Sequence, residues 1–516
     1  SIEGIGDVVI RGTNENFLTT HGVKLLGSHI SIKNITIEKA EINGIYLEGT
    51  DLSSDVIIQN VRIDSVKSFG ILIHNYRHIK VDDCLILNSS RPGSESLTSP
   101  CQWPSGVKFY NCQYSTFSNN ELAYTRGEGL NFHNSQYGLA YGNKIHDNPT
   151  NIYCDNCKNV VIKQNLVYST PGEERNWRTC PSDSESNTGG KGILLGNESD
   201  CDDGLGPVNR NCETVCALGS IFPHVDSVFI FNNFFINNTP ALSVWQGVTE
   251  TLGGPNCVKN IFFDFNTVVG TISGEPEKKH AVLFFYFPNF YNTITGFGYA
   301  TLENVQVRNN IFSHPYGRYT RLDLGDIVLN DLFPVPNNVS LTNNLGNRED
   351  PFSGMNFTVR PNLPTESVLD SQALVNMWLP CSEENELLIK DGDPLPWVTH
   401  VYQGNLRSAT ANNVGALAKS EQCTSSDIPT NNHYTDFNVV LVPNPTTCTI
   451  NLSEIPSSNL QVQISVFSIN GQKLYHKDTS VYDRKCTLEL TALESGVYTL
   501  QISSNNLYSV HKFIML

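Results

Sequence analysis

Residues 159–165 read Asn-Val-Val-Ile-Lys-Gln-Asn, and the same pattern returns at residues 260–266, 304–310 and 338–344. In each copy an asparagine opens the segment, apolar residues follow in alternation with other residues, and an asparagine closes it. This alternation predicts a β-strand with one buried face. A strand that recurs with fixed end residues indicates a repeat architecture, in which successive coils stack on one another.

A second strand pattern starts with Gly or Asn and continues as apolar-x-apolar. It occurs at residues 44–47, 70–73, 106–109, 129–132, 151–154 and 192–195. The shortest step between copies is 22 residues, from Leu130 to Ile152, which predicts the length of one coil. The longer steps contain insertions, the largest of which span residues 88–105, 169–190 and 197–225.

The closing asparagines of the first pattern predict a ladder of stacked amides at one turn of the coil. Asparagine tolerates the left-handed backbone conformation, and its amide can bond to the asparagine of the next coil. The earlier coils carry Ile35, Val61 and Cys84 at this position, so we expect the ladder to begin at about the fourth coil. Its predicted members are Asn120, Asn143, Asn165, Asn233, Asn266, Asn310 and Asn344.

Together these patterns resemble the right-handed parallel β-helix superfamily, which includes pectate lyases and alginate lyases. The resemblance covers residues 1–350 and implies an all-β fold with a right-handed parallel β-helix solenoid. It predicts the fold rather than the reaction, because the superfamily hosts lyases, hydrolases, epimerases and adhesins. Residues 8–10 already have the pattern of a strand, so we expect the N-terminal cap of the solenoid to be missing from this sequence.

The C-terminal residues 437–516 have the strand and turn pattern of a small Ig-like β-sandwich. Four motifs lie there, at residues 442–445 (Val-Pro-Asn-Pro), 470–474, 493–498 and 512–514. They resemble a type A sorting domain of the type IX secretion system of Bacteroidota. The resemblance implies export to the outer face of the outer membrane, with the type IX translocon and its outer-membrane shuttle protein as partners of residues 437–516.

Two segments connect these domains. Residues 351–423 are expected to cap the last coil, because Gly404–Arg407 and Asn413–Ala416 resemble the closing segment of secreted β-helix proteins. Residues 424–436 have the composition of a linker.

Composition excludes some functions. The net charge of −17 among 516 residues argues against nucleic-acid binding, which needs an excess of Lys and Arg. The sequence contains no run of about 18 apolar residues, so we expect no membrane span. The 14 cysteines favour disulfides formed in an oxidising compartment over a zinc site, because the spacing around Cys154 and Cys157 is poor for zinc. We also predict a disulfide between Cys448 and Cys486.

The second strand pattern predicts the candidate site. Its outward-facing positions form two columns, and the central members are Lys108, Tyr110, Asn131, His133, Tyr153 and Asp155. The large insertions flank this face, so we expect a polysaccharide groove there. Arg126, Glu128, Tyr153 and Glu198 also lie in motifs that resemble a β-helix subgroup without an assigned reaction.

Two reactions remain open for this face. In a β-elimination, Lys108 or His133 would be the base, Tyr153 or Tyr110 the acid, and Arg126 the partner of the substrate carboxylate. In a hydrolysis, the available acids are Glu128, Asp155 and Glu198. Tyr110, Arg126, Asn131 and Glu198 are the predicted substrate-binding residues.

Two further readings stay open. No cofactor is expected, although the acidic residues Asp200, Asp202 and Asp203 suggest a weak Ca²⁺ site. The alternative to an enzyme is a non-catalytic surface adhesin, polysaccharide-binding or structural cargo protein.

Overall fold

The computed structural model describes the solenoid and the C-terminal unit in separate stretches. The described residues are 1–12, 21–89, 104–170, 190–197, 224–238, 240–246, 257–270, 281–286, 290–292, 296–298, 301–313, 318–323, 339–346, 358–359, 395, 398, 400–402, 407, 414–417, 440–442, 449–453, 461–468, 473–481, 486–490, 493, 496–504 and 507–515. The chain divides into two compact units, Ser1–Gly392 with Asn412–Ala418, and Asp393–Ala411 with Lys419–Leu516. The described part of the chain contains no helix of the length and apolarity that a membrane crossing requires.

The first unit is built of short β-strands. They are β1 (Ile2–Glu3), β2 (Val9–Arg11), β3 (Val23–Leu26), β4 (Ile30–Glu38), β5 (Ile45–Asp64), β6 (Ile71–Asp82), β7 (Leu85–Leu87), β8 (Val107–Tyr110), β9 (Gln113–Ser118), β10 (Glu121–Ala123), β11 (Glu128–His133), β12 (Leu139–Tyr141), β13 (Lys144–His146), β14 (Thr150–Asp155), β15 (Lys158–Lys163), β16 (Leu166–Tyr168), β17 (Lys191–Asn197), β18 (His224–Phe231), β19 (Phe234–Ile236), β20 (Leu242–Gln246), β21 (Cys257–Asp264), β22 (Thr267–Val269), β23 (Ala281–Tyr286), β24 (Phe290–Asn292), β25 (Gly296–Gly298), β26 (Thr301–Arg308), β27 (Ile311–Ser313), β28 (Arg318–Asp323), β29 (Val339–Thr342), β30 (Leu345–Gly346) and β31 (Thr358–Val359).

All of these strands except β24 and β25, which pair antiparallel with each other, form a long parallel sheet that coils three strands at a time. The first face contains β8, β11, β14, β17 and β20, the second contains β9, β12, β15, β18 and β21, and the third contains β10, β13, β16, β19 and β22. In the early coils β4, β5 and β6 run around the corners and serve more than one face. The predicted parallel solenoid is therefore confirmed as an all-β fold with a long parallel sheet.

The register between coils agrees with the sequence alignment. On the first face Val107 pairs with Leu130, Leu130 with Ile152, and Ile152 with Ile193. These apolar side chains point into the solenoid and are fully buried there. Burial of each large apolar side chain stabilises the fold by about 1.5–3 kcal/mol, so the repeated inward columns hold the coils together.

The predicted asparagine column lies at the turn between the second and third faces. Nδ2 of Asn143 donates to Oδ1 of Asn165 at 2.9 Å, and Nδ2 of Asn165 donates to Oδ1 of Asn233 at 3.0 Å. Each of these oxygens also accepts the backbone N–H of the preceding asparagine. Equivalent bonds link all seven members, from Asn120 to Asn344.

One detail of the ladder differs from the sequence prediction. The left-handed residue is the one before each ladder asparagine, not the asparagine itself. The left-handed residues are Asn119, Gly142, Gln164, Asn232, Phe265, Asn309 and Asn343, with φ between 52° and 66°. The ladder asparagine is therefore free to turn its amide inward, where it satisfies the buried backbone of the turn.

The cysteines of the solenoid do not form the expected crosslinks. Cys84, Cys112, Cys154 and Cys157 are buried and free. Cys84 takes the ladder position one coil before Asn120, whose Oδ1 accepts its backbone N–H at 2.8 Å. The disulfide prediction is wrong for these four residues, because they fill small positions in the interior of the coil. The cysteines that lie outside the described residues, for which the disulfide prediction stays open, are Cys101, Cys180, Cys201, Cys212, Cys216, Cys381, Cys423 and Cys448.

Part of the predicted cap contacts the solenoid. The backbone N–H of Gly415 donates to the carbonyl of Asn309 at 2.7 Å, and that of Ala416 donates to Oγ1 of Thr267 at 2.9 Å. Gly415 has φ of 84°, and a Cβ there would lie 2.5 Å from the side chain of Ile311. The predicted linker, residues 424–436, lies outside the described residues, and the domain boundaries remain predictions.

The second unit contains two antiparallel sheets. Their strands are β32 (Val440–Val442), β33 (Thr449–Ser453), β34 (Gln461–Ser468), β35 (Lys473–Ser480), β36 (Cys486–Glu489), β37 (Gly496–Ser504) and β38 (Leu507–Met515). One sheet has the order β32-β33-β36 and the other β35-β34-β37-β38. Leu488 of the first sheet and Ile464 and Leu500 of the second belong to one buried cluster. The Ig-like classification of this unit remains a prediction.

The predicted disulfide between Cys448 and Cys486 is wrong, because Cys486 is free. Strands β33 and β36 run antiparallel, with Cys486 opposite Leu452 and Glu489 opposite Thr449. The sequence prediction treated the two cysteines as equivalent strand starts. In an antiparallel pair, the starts of the two strands lie at opposite ends of the ladder.

Candidate active site

The first face brings together the side chains that the sequence analysis selected. Lys108, Asn131 and Tyr153 are direct neighbours in one column of β8, β11 and β14. Tyr110, His133 and Asp155 form the adjacent column, two residues further along the same strands. Because neighbouring coils are about 4.8 Å apart, side chains in one column contact each other directly.

Burial separates these residues into two groups. Tyr110, Asn131, His133, Tyr153 and Asp155 are buried, each with at most 5% of its surface exposed. Lys108, Arg126 and Glu128, at or near the starts of β8 and β11, are partly exposed. The expected groove is therefore not an open row of all six central residues. Among the described residues selected from the sequence, a substrate can reach Lys108, Arg126 and Glu128.

The buried column is a chain of polar and aromatic contacts. Nδ1 of His133 lies 2.8 Å from Oδ2 of Asp155, in the next coil. The ring of His133 stacks on Tyr110 at a centroid distance of 4.7 Å, and the ring of His74 meets Tyr110 edge-on at 4.5 Å. Asp155 thus fixes one ring nitrogen of His133 and the stacking fixes the ring plane, which orients the other nitrogen.

Glu128 has the most informative electrostatic environment. Burial raises the pKa of its carboxyl group, the charge of Lys108 opposes the rise, and the charge of Asp155 adds to it. Oγ of Ser105 donates to Oε2 of Glu128 at 2.9 Å, which holds the carboxyl group in place. The same positive charge lies near an aromatic ring, since Nζ of Lys108 is 5.5 Å from the ring centroid of Tyr110. The site therefore combines a carboxyl group of raised pKa with the side chains of Lys108 and Asp155.

Tyr153 and Asn131 complete the buried part of the face. A Cβ on Gly196, one coil beyond Tyr153, would lie 2.5 Å from the tyrosine hydroxyl oxygen, so only glycine leaves room for that hydroxyl. The amide oxygen of Asn131 is buried and has no hydrogen-bond partner among the described residues. A buried acceptor usually has a partner, so this oxygen is able to accept a hydrogen bond from a further group.

The remaining predicted residues cannot be placed. Glu198, Asp200, Asp202 and Asp203 lie outside the described residues. Within the described stretches, no group of three or more His, Cys, Asp and Glu side chains is arranged to hold a metal ion. The Ca²⁺ site therefore remains a prediction.

A second polar cluster lies on the third face, where the sequence analysis assigned no role. Nδ1 of His146 is 2.7 Å from Oδ2 of Asp147, and Nε2 is 3.1 Å from Oε1 of Glu121. The ring stacks on Tyr168 at 4.3 Å, and Thr170 donates two hydrogen bonds to Asp147. The sequence did carry a signal for this cluster. Glu121, Lys144 and Leu166 each follow a ladder asparagine, and this alignment places His146 in register with Tyr168 of the next coil.

Comparison with known families adds two matches. The family model described as right handed beta helix region matches residues 2–201. The model described as secretion system C-terminal sorting domain matches residues 440–516. The chain carries a β-helix region and a secretion sorting domain. The sorting domain indicates that this β-helix protein is secreted. The resemblances to a right-handed β-helix and to a secretion sorting domain are thus confirmed, and the assignment to the type IX system of Bacteroidota stays a prediction.

Several solved structures are similar to this β-helix protein. They include the DFA-IIIase from Arthrobacter chlorophenolicus A6, which is 10% identical with a TM-score of 0.28, covering 65% of this chain and 65% of that chain. A family 28 exopolygalacturonase from Yersinia enterocolitica is 10% identical with a TM-score of 0.31, covering 66% of each chain. An alginate lyase from Paenibacillus sp. str. FPU-7 is 11% identical with a TM-score of 0.23, covering 59% of this chain and 98% of that chain. The match thus spans slightly less than two thirds of the first two structures, and no curated protein matches the chain.

Proposed function

We propose that this protein cleaves a polysaccharide at the edge of its first face, with Glu128 as the general acid. The observation that carries the proposal is the raised pKa of Glu128, a partly exposed carboxyl group beside Lys108. A general acid must hold a proton near the working pH and be reachable by the bond that breaks. Protonation of the glycosidic oxygen by such a group is common to the enzymes that cleave sugar chains.

Hydrolysis is the reaction that this environment supports best. It requires two carboxyl groups in different protonation states, one as acid and one as carboxylate. Asp155 is near enough for its charge to raise the pKa of Glu128, and its Oδ2 lies 2.8 Å from Nδ1 of His133. In this scheme Glu128 donates its proton to the leaving oxygen, and a water molecule from the solvent adds to the anomeric carbon and releases a proton to the solvent. The charge of Asp155 would favour the positive charge that develops on the sugar ring.

Elimination is the second candidate, because the partly exposed residues also include two cations, Lys108 and Arg126, and Lys108 is close enough to Glu128 to oppose the rise of its pKa. Lys108 would remove the proton next to the uronate carboxylate, and Arg126 would neutralise that carboxylate. Glu128 would protonate the leaving oxygen.

Export completes the proposal. The sorting domain would direct the protein through the type IX system, with the translocon and its outer-membrane shuttle as partners and the Bacteroidota cell surface as destination. The four motifs at residues 442–445, 470–474, 493–498 and 512–514 support this finer assignment. The candidate partner outside the cell is a polysaccharide.

The test is a screen of the purified full chain against anionic and neutral polysaccharides. Reducing ends and the ultraviolet absorbance of unsaturated sugars are measured together. Reducing ends without that absorbance support hydrolysis, and reducing ends with it support elimination. If no polysaccharide is cleaved by folded protein, the proposal is overturned, and the adhesin or structural cargo function takes its place.

A further inference from the structure

The corner between the first and second faces carries a column of residues in the left-handed conformation. Every described coil contributes one residue, and their φ values lie between 53° and 63°. In register order the column contains His29, Asp55, His78, Tyr114, Tyr137, Asn159, Ser227, Asn260 and Asn304. The turn thus requires this backbone conformation at every coil.

The identity of the side chain changes along the column although the backbone does not. Asn159, Asn260 and Asn304 are residues that adopt the left-handed conformation readily. Tyr114 and Tyr137 hold the same conformation, which is unfavourable for a bulky residue. The later coils show that the fold accepts asparagine here, so the fold does not require the tyrosines.

These bulky residues form a continuous ridge, which we define as His78, Tyr114 and Tyr137. The rings of Tyr114 and Tyr137 stack at 4.7 Å with an interplanar angle of 6°. His78 packs against Tyr114 at 5.3 Å. Because the ring faces cover each other, the ridge presents ring edges to the solvent at the spacing of one per coil. Both tyrosines are half-buried, and His78 is exposed.

A polar column runs beside the ridge, one residue earlier in each coil. Its members pair in register from Arg77 to Gln113, from Gln113 to Gln136, and from Gln136 to Lys158. Arg77 is exposed and the other three are half-buried. The planar amides and the guanidinium group supply both donors and acceptors at the same coil spacing as the ridge.

We propose that the ridge and its polar column bind a polysaccharide chain that runs along the solenoid axis, as a binding site separate from the candidate active site. A surface that repeats the same groups once per coil, about 4.8 Å apart, suits a ligand that is itself a repeating polymer. Sugar rings offer hydroxyl groups to the two glutamines and apolar ring edges to the tyrosines. The exposed guanidinium group of Arg77 adds positive charge, so that end of the site favours an anionic chain over a neutral one. At the other end Asp226, the register neighbour of Lys158, offsets the charge of Lys158. This inference does not depend on whether the chain is an enzyme.

The test uses affinity electrophoresis of the full chain in gels that contain polygalacturonate, alginate or a neutral glucan. The double variant Tyr114→Asn/Tyr137→Asn places at both coils the residue that later coils use, so the fold is retained. We expect the anionic polysaccharides to retard the double variant at least tenfold less than the wild type. The control His29→Asn makes the same kind of change in the same column, away from the ridge, and should bind like the wild type.

A gain of binding provides the second test. Asn159→Tyr extends the stack by one coil, and we expect stronger retardation. The rate of cleavage of short oligosaccharides should be unchanged in all three variants, which separates this site from the proposed catalytic one. Equal retardation of the wild type and the double variant, or no retardation of the wild type in any of the three gels, would overturn the proposal.

Discussion

Nδ1 of His133 and Oδ2 of Asp155 lie 2.8 Å apart across two neighbouring coils, and both side chains are almost completely buried. A second pair of the same type, His29 and Asp55, lies on the surface with an Nδ1–Oδ2 distance of 3.0 Å. These two histidine–aspartate contacts are therefore similar in length but differ in burial. The difference in burial should decide their contribution to stability.

The substitution Asp155→Asn should destabilise the solenoid and reduce any cleavage activity. Removal of one partner from a buried charged pair costs about 3–5 kcal/mol, and the retained hydrogen-bonding shape of asparagine lowers this to about 1–3 kcal/mol. The control Asp55→Asn breaks an exposed pair, which is worth less than about 1 kcal/mol. Thermal unfolding of the two variants measures the difference. Equal melting temperatures would show that the contact at His133 does not stabilise the fold.

The pH dependence of the melting temperature of Glu128→Gln should reveal the raised pKa of this carboxyl group. Burial raises the pKa of Glu128 above its usual value of 4.5, so the folded state holds this proton more tightly than the unfolded state. Ionisation of Glu128 therefore costs stability as the pH rises from 4.5 toward the raised pKa, and the loss persists at higher pH. Glutamine has no charge to bury, so the variant should melt at a higher temperature than the wild type at neutral pH.

Below pH 4.5 that advantage should vanish, because Glu128 is then protonated in both states. The measurement is a series of melting curves from acid to neutral pH. A constant difference between wild type and variant across the series would contradict the raised pKa.

The amide ladder should be essential for the fold. Asn143→Ala removes the Nδ2 donor to the carbonyl of Phe117, at 2.8 Å, and the acceptor for the backbone N–H of Asn120. Each buried group left without a partner costs about 1–3 kcal/mol, so we expect a loss of several kcal/mol. Asn119→Gly is the matched control, because glycine adopts the left-handed conformation of that exposed position. Chemical denaturation should show a large loss for the first variant and a small one for the second.

The fold was predictable because its signals are local and repeated. The strand pattern around Ile152 and the closing residues such as Asn165 gave the inward columns and the amide ladder in the correct register. The left-handed position was misassigned because two adjacent asparagines, such as Asn309 and Asn310, carry the same turn signal. Sequence pattern alone does not say which of the two turns the chain.

The candidate site was predictable only in part. The alternation along β11 places Asn131 and His133 on the outward face, and the structure shows the same. Their burial was not predictable, because it depends on how side chains of neighbouring coils pack, as in the stacking of His133 on Tyr110. The sequence analysis predicted disulfides where the cysteines are free, because a sequence does not distinguish a buried free cysteine such as Cys154 from a disulfide-bonded one.

The buried thiols should be unreactive in the folded protein. Burial raises the pKa of Cys84 and of Cys112 to about 12, which removes the reactive thiolate at neutral pH. We expect an alkylating reagent to label neither residue until denaturant is added. Peptide mapping by mass spectrometry measures this directly. Labelling of either residue in the native protein would contradict its placement inside the coil.

The cluster on the third face should stabilise the protein at neutral pH and lose this contribution in acid. Burial favours the neutral form of Asp147, but the hydrogen bonds from His146 and Thr170 outweigh it and hold the pKa below its usual 3.8. This contribution is present above pH 3.8 and is lost as the pH falls through the lowered pKa. Asp147→Asn should therefore lower the melting temperature at neutral pH, with a smaller difference from the wild type in strong acid. A difference that does not shrink in acid would refute the role of the carboxylate charge.

The most direct test of polysaccharide cleavage at the first face is the cleavage rate of Glu128→Gln on the best substrate from the screen. Glu38→Gln, which changes a partly exposed carboxylate paired with Arg11, is the matched control. A general acid contributes about 10²–10⁴-fold, so the first variant should be slower by about 100-fold or more while the second keeps the wild-type rate. A Glu128→Gln variant that folds and cleaves at the wild-type rate would contradict the proposed site.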